Sequence, residues 1–161
     1  MSKDPDSFRK IMRRWSTGVT IVTSTDGTSA HGMTVNSFTS VSLEPPLVLV
    51  SLERDTRTRQ IVLDNGRFAV SILDKNQQVL AERFAGRIPD EGDRGMWLEK
   101  QTGLSKIPVP PNYLATMECE VLYTHEAGTH TLFVAKVMWG EVSEVGRPLL
   151  YYNQEYRQLA D

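Results

Sequence analysis

Turn residues, not helix-length spacers, divide most of this chain's apolar residues into short runs. Asp26-Gly27 closes the β-branched run 19–24, and Pro45-Pro46 precedes the apolar run 47–52. Gly66 precedes the run 67–73, and Gly128 precedes 131–142. Runs of this kind bounded by Gly, Pro and Asp read as strands. Residues 30–38 pair with 19–24 as an N-terminal hairpin. Residues 117–123 alternate, with Glu118 and Glu120 facing out and Cys119 facing in, and 149–152 closes the chain as a short strand. The run 47–52 is apolar but for Ser51, so it is expected to be covered on both faces.

Three short helices accompany these six or seven strands. Phe8, Ile11, Met12 and Trp15 recur at helical spacing after Pro5, with Asp6 or Ser7 as the cap and Gly18 as the stop. Asp55 or Thr56 caps a second helix through Leu63, and Gly66 sits where its C-terminal stop belongs. Residues 77–84 form a third, ended by Gly86. Residues 87–111, rich in charge, Pro and Gly, read as a long surface excursion. No regular strand–helix alternation runs through the chain. That favours a mainly β protein, an antiparallel barrel with peripheral helices, over a doubly wound sheet.

Composition removes several classes. At 161 residues the chain suits one domain, 1–161. Eighteen basic against twenty acidic side chains give a net charge of −2, which argues against a dedicated nucleic-acid binder. The longest apolar run, 47–50, falls far short of the ~20 residues a membrane helix needs. The first ten residues are polar and lack a signal peptide's apolar segment, so the expected location is cytoplasmic. The lone Cys119 excludes an intrachain disulfide and a multi-thiolate zinc site. No G-x-G-x-x-G, phosphate-loop or G-x-S-x-G motif is present. His125 and His130 approach each other across the Gly128 turn, but turn and surface roles fit them better than a metal site.

The stretch Ala30-His31-Gly32-Met33-Thr34-Val35-Asn36-Ser37-Phe38 is unusual for a strand. Short hydroxyl and amide side chains interleave with small residues, and Gly32 permits close backbone approach. Such a surface suits a flat polar heterocycle, a ribityl chain or a phosphate. A solvated edge strand has the same composition.

At this point the sequence resembles the short-chain flavin reductases, which have an FMN-binding split-barrel fold. They include the reductase components of two-component flavin monooxygenases. The resemblance rests on Phe8 with 15–23, on 32–52 with its Pro-Pro break, on 68–73 followed by 77–86, on 117–119 with 128–134, and on 148–152, all in the family's order. It implies NAD(P)H-dependent transfer of hydride from NADH or NADPH to FMN or FAD. In that chemistry the cofactor supplies the reactivity and the protein supplies binding and orientation. It further implies a homodimer and a flavin-dependent monooxygenase as partner. Two other readings of the same barrel stay open. One is a flavoprotein holding FMN tightly as an electron carrier, and the other is a non-catalytic flavin- or haem-binding module.

The resemblance places the flavin against Met33, Thr34, Val35, Asn36 and Ser37, with the Asn36 and Ser37 side chains as hydrogen-bonding groups. Ser51 and Leu52 lie on the neighbouring strand beside the ring. Arg54, Asp55, Thr56, Arg57 and Thr58 would hold the phosphate, at a helix N-terminus whose free N–H groups and dipole favour anions. Asp55 and Thr56 serve equally as caps, and Arg54 or Arg57 could grip phosphate or pair with Asp55. Phe84, Ala85, Gly86 and Arg87 match the segment that closes over the flavin, although Phe84 also fits a core position. His130 matches the histidine implicated in nicotinamide binding, and Tyr151 is the aromatic residue expected near the nicotinamide. His31 is a minor pocket residue at most. Asp93-Arg94 matches part of a loop that shapes access to the pocket.

Overall fold

The computed structural model describes residues 4–89, 94–99 and 103–160. Asp93 lies outside the described residues. Helix α1 (Pro5–Met12) opens the chain, followed by β1 (Thr17–Gly18), β2 (Thr20–Thr25), β3 (Ala30–Val35), β4 (Thr39–Ser42) and β5 (Leu47–Glu53). Helix α2 (Arg57–Asn65) leads to β6 (Arg67–Ile72) and α3 (Gln78–Phe84). The long strands β7 (Ala115–Ala127) and β8 (His130–Val142) precede the short pair β9 (Leu150–Tyr152) and β10 (Glu155–Arg157). The strands form an antiparallel seven-stranded sheet, β3-β2-β6-β7-β8-β5-β4, and a three-stranded sheet, β1-β9-β10.

One apolar cluster draws on β2, β3, β5, β6, β7 and β8 together through Val22, Val35, Val50, Phe68, Cys119 and Phe133, so the sheet wraps around it. Val62 of α2 belongs to the same cluster. Burying a side chain such as Phe68 or Phe133 contributes about 1.5–3 kcal/mol. The ladder does not close, because β3 and β4 are its two edges. Between them the Ser37 hydroxyl donates to the Ser51 carbonyl at 2.7 Å and accepts from the Ser51 amide at 3.2 Å. One side chain thus bridges the seam where strand pairing stops.

The expected N-terminal hairpin forms, with Thr20 opposite Val35 and Thr25 opposite Ala30. Helix α2 is capped by Thr56 and stopped by Gly66 at φ 69°, a left-handed position that glycine adopts without a Cβ clash. Three readings need correction. Asp4 caps α1, not Asp6 or Ser7, and its carboxylate accepts from both of their amides. A residue inside the first turn cannot act as the Ncap, because its own backbone is already helical. The excursion 87–111 is not merely superficial, since Ile107 and Val109 are buried against Ala69 on the outer face of β6. The same segment covers Glu118, which is 1% exposed and accepts from the Ser105 amide at 2.7 Å, so Glu118 does not face solvent.

Run 47–52 is the strand expected, but only Val48, Val50 and Leu52 are fully buried, and the alternate residues are half-exposed. Strand β2 is covered on both faces instead, as is β6. The outer face of β2, with Ile21, lies in a second cluster containing Ala81 and Phe84 of α3 and Leu149 just before β9. Gly32 does permit a close approach, but to the protein's own core. A Cβ there would stand 2.9 Å from Thr23 Cγ2 and 3.2 Å from the Phe84 ring.

Candidate functional site

Strand β3 is an edge of the seven-stranded sheet, so one side of its backbone pairs with no strand. Unpaired amides and carbonyls along such an edge can meet a ligand. At its C-terminal end Thr34, Val35 and Asn36 line a cleft of about 210 Å³ together with Val19, Ala85, Arg87, Tyr151 and Tyr156. Two of the three residues that follow α3 therefore reach the same cleft as the polar end of β3. The Thr34 hydroxyl donates to the Ala81 carbonyl at 2.7 Å, tying β3 to α3 beneath the cleft.

The cleft wall opposite β3 is cationic and aromatic. The Arg87 guanidinium donates to the Tyr151 hydroxyl at 2.9 Å. It lies 5.7 Å from the Tyr151 ring centre and 5.8 Å from that of Tyr156, within cation–π range. The two rings meet edge to face at 5.4 Å. The hydrogen bond to Tyr151 holds Arg87 still more firmly in its charged form, and burial pushes the Tyr156 phenol upward. Asn153 and Gln154, both at positive φ, turn the chain between β9 and β10 and set Tyr156 opposite Tyr151.

The other end of β3 faces the start of α2. The Thr56 hydroxyl lies 3.8 Å from Met33 Sδ and donates to the Glu53 carbonyl at 2.8 Å. It also accepts from the Arg59 amide at 3.4 Å. The first-turn amides of Arg57 and Thr58 have no partner within the helix, which is the ordinary anion-binding feature of a helix N-terminus. Arg57 donates to the Ser29 hydroxyl at 3.1 Å, just before β3. Arg54 pairs with Glu126 at 3.1 Å, so the expected partner Asp55 is replaced by a residue of the β7–β8 hairpin. His130 stands opposite Glu53 in the ladder, and its Nδ1 is 2.9 Å from the Thr129 hydroxyl.

Some expected site residues face inward or bond elsewhere. Phe84, 1% exposed, is core and not a cleft wall. Its place on the apolar face of α3 puts it against Ile21. Leu52 is likewise fully buried. Thr58 is buried with its hydroxyl 2.8 Å from His31 Nδ1, so it supports the loop from below. The Ser37 hydroxyl is committed to Ser51, and Ser51 joins the site through that bridge. Gly86, at φ 72°, turns the chain between Ala85 and Arg87. His130 comes together with Arg54 and the α2 end, whereas Tyr151 comes together with Asn36 and Arg87 at the other.

Val19, Tyr156 and Glu126 escaped the sequence reading. For Tyr156 a signal was present: Asn153 is favoured at left-handed positions, and a two-residue turn there implies one more strand. Nothing local marks Glu126, whose role depends on residues more than sixty positions away. Among the described residues no group of His, Cys, Asp or Glu could hold a metal ion.

The split sheet thus sets an edge strand between a helix N-terminus and an aromatic cleft, with the short helical turn Arg94–Trp97 packed beside it. The chain belongs to the flavin reductase like domain family, whose profile matches residues 12–160. It is 38% identical over 160 residues to an NADH-dependent flavin reductase of Rhodococcus sp., covering 96% of this chain and 86% of that protein. It is 38% identical over 154 residues to the reductase component of an FADH(2)-dependent resorcinol hydroxylase of Rhizobium sp. (strain MTP-10005), covering 93% and 84%. The Streptomyces globisporus C-1027 NADH:FAD oxidoreductase SgcE6, solved with NAD and FAD fragments, superposes with a TM-score of 0.88 at 34% identity, covering 98% of this chain and 94% of that one.

Proposed function

We propose that this chain is an NAD(P)H-dependent flavin reductase that reduces FMN or FAD and delivers the reduced flavin to a partner monooxygenase. The observation that carries the reading is the placement of β3. Its open edge runs from the N-terminus of α2, suited to a phosphate, to a cleft floored by Thr34, Val35 and Asn36, suited to a flat ring. The residues fit the group, since an exposed amide side chain, an unpaired strand edge and an anion-seeking helix end lie along one line. When bound, the flavin supplies the hydride-accepting chemistry.

The chain's own residues then bind and orient. Asn36 hydrogen-bonds the polar edge of the ring or the ribityl chain, beside the Met33–Val35 backbone. Thr56, Arg57 and the first-turn amides of α2 hold the phosphate, with Arg54 and Asp55 at the rim. Ala85, Gly86 and Arg87 close the cleft from the α3 side, and Tyr151 offers an aromatic face to the nicotinamide. His130 reaches the nicotinamide nucleotide from the α2 end, with Nε2 as the ring nitrogen left to meet it.

Residues 1–161 act as one domain and work as a homodimer. An open apolar cleft of about 460 Å³ bordered by Phe38, Leu43, Leu47, Val137 and Val142 supports the pairing. No described helix is long and apolar enough to cross a membrane, and reliance on NAD(P)H fits the cytoplasm. Anaerobic oxidation of NADH and of NADPH, with FMN and FAD supplied separately, tests the reading. Bleaching of added flavin well beyond one equivalent per protein is expected. Reduction limited to one bound equivalent would replace it with a tight electron carrier, and no oxidation with either nicotinamide would leave only a binding module.

A further inference from the structure

The tip of the β7–β8 hairpin is fastened to the start of α2 through one carboxylate. Glu126 Oε2 pairs with Arg54 Nε at 3.1 Å, and its Oε1 pairs with Arg59 Nη2 at 2.8 Å. The Thr131 hydroxyl donates to the same Oε1 at 2.8 Å and accepts from Arg59 Nε at 3.0 Å. Both oxygens of Glu126 are therefore engaged from both sides of the junction. Thr131 is fully buried, and the Arg59 side chain is only 17% exposed. The backbone repeats the connection, with the Arg54 amide donating to the Thr129 carbonyl at 3.0 Å. Arg54 Nη1 also reaches the Gly128 carbonyl at 3.4 Å.

Two residues assigned separate tasks thus share one tether. Arg54 borders the phosphate end of the site, and His130 sits between the tip and Thr131. We infer that Glu126 is a positioning residue that holds His130 for the nicotinamide nucleotide while restraining Arg54 from the flavin phosphate. The inference rests on the reductase reading above. The Thr131 hydrogen bond and the two arginines lower the Glu126 pKa, so the tether is ionised at neutral pH. Each arginine meets its own carboxylate oxygen, and charge-assisted hydrogen bonds of this kind are shorter and stronger than neutral ones.

Removing the charge has two opposed consequences. A neutral amide keeps one acceptor oxygen and turns an NH2 group toward the other guanidinium, so one arginine loses its partner, the hairpin tip is held less firmly and His130 loses its fixed place. Arg54 is at the same time released toward the phosphate. A fold defect would weaken both ligands together, whereas loss of the tether separates them.

The test is Glu126→Gln in the full chain, with steady-state NADH kinetics and with FMN and riboflavin affinities measured by fluorescence quenching. Riboflavin lacks the phosphate and reports the ring alone. The expected result is a threefold or larger rise in KM for NADH, with kcat changed less than twofold. The preference for FMN over riboflavin should rise at least twofold as Arg54 is freed. Thr131→Val, which removes the neutral half of the tether, should move KM in the same direction by less. Loss of both affinities in parallel, no change in either, or a change confined to one overturns the inference. If both variants fail to fold, Glu126→Asp, which keeps the charge on a shorter arm, must raise both KM for NADH and the preference for FMN over riboflavin, and failure to do so overturns the inference. A wild-type chain without NADH-driven flavin turnover would instead defeat the reductase reading itself.

Discussion

Strands β2 and β5 belong to one sheet, yet they live in different surroundings. Five successive residues of β2 are buried, because the barrel core covers one face and α3 with the segment before β9 covers the other. Along β5 burial alternates, and Leu47 borders an open apolar cleft. The chain covers the half of the sheet that carries β3 and leaves the half around β5 less covered. A binding edge gains precision from a stiff neighbour. An apolar face without its own cover marks an interface.

The sharpest way to break this contrast is to hollow the shared core. Phe68→Ala should cost about 3–5 kcal/mol, because truncating a fully buried phenylalanine loses transfer energy and leaves a cavity. Urea unfolding measures it, and a loss under ~1 kcal/mol would mean that the two halves do not share one interior.

On the doubly covered half, Gly32→Ala should cost about 1–3 kcal/mol by overpacking. The new methyl would press on Thr23 Cγ2, and on the Val22 carbonyl at 3.0 Å. Flavin affinity should fall with it, since Asn36 directly follows the same strand. Unchanged stability would show that β3 is looser than its neighbours suggest.

Within the site, Asn36→Ala should weaken flavin binding about fivefold to tenfold, the worth of one ordinary hydrogen bond of ~1–1.5 kcal/mol. His130→Ala should raise KM for NADH more than it changes flavin affinity. Identical profiles for the two variants would dissolve the division between the β3 cleft and the hairpin end.

On the half left open, Leu43→Asp should change protomer stability by no more than ~0.5 kcal/mol, since the side chain is 86% exposed. The dissociation constant of the homodimer should nevertheless rise at least tenfold in sedimentation equilibrium. An unaltered association constant would remove this face from the interface. The smallest effect belongs to Cys119. Burial pushes its thiol up to about 12, so a thiol reagent at pH 8 should not label the native chain and should label it in denaturant. Rapid native labelling would show that the core opens at β7.

The order of strands and helices was legible because turn residues punctuate this chain at nearly every junction. The polar stretch of β3 and the α2 cap were legible with them. The rest depended on distant partners. Glu118 looked exposed because alternation describes one strand against one core, and nothing in 117–123 announces that residues 103–109 lie over its other face. Phe84 looked like a cofactor contact because its neighbours Ala85 and Arg87 are cleft residues. Helical geometry turns it a third of a turn away, into the core. The tether at Glu126 joins residues from three separate elements, and no local pattern encodes such a meeting.

The bridge at Ser37 bears on opening as well as shape. Parting the seam there breaks two hydrogen bonds and no strand pairing. The turn after β3 and the last residues of β5 can therefore part without any rung of the ladder being lost. A continuous ladder would have to give up its rungs to open there, whereas a serine bolt opens at the loss of one side chain's bonds.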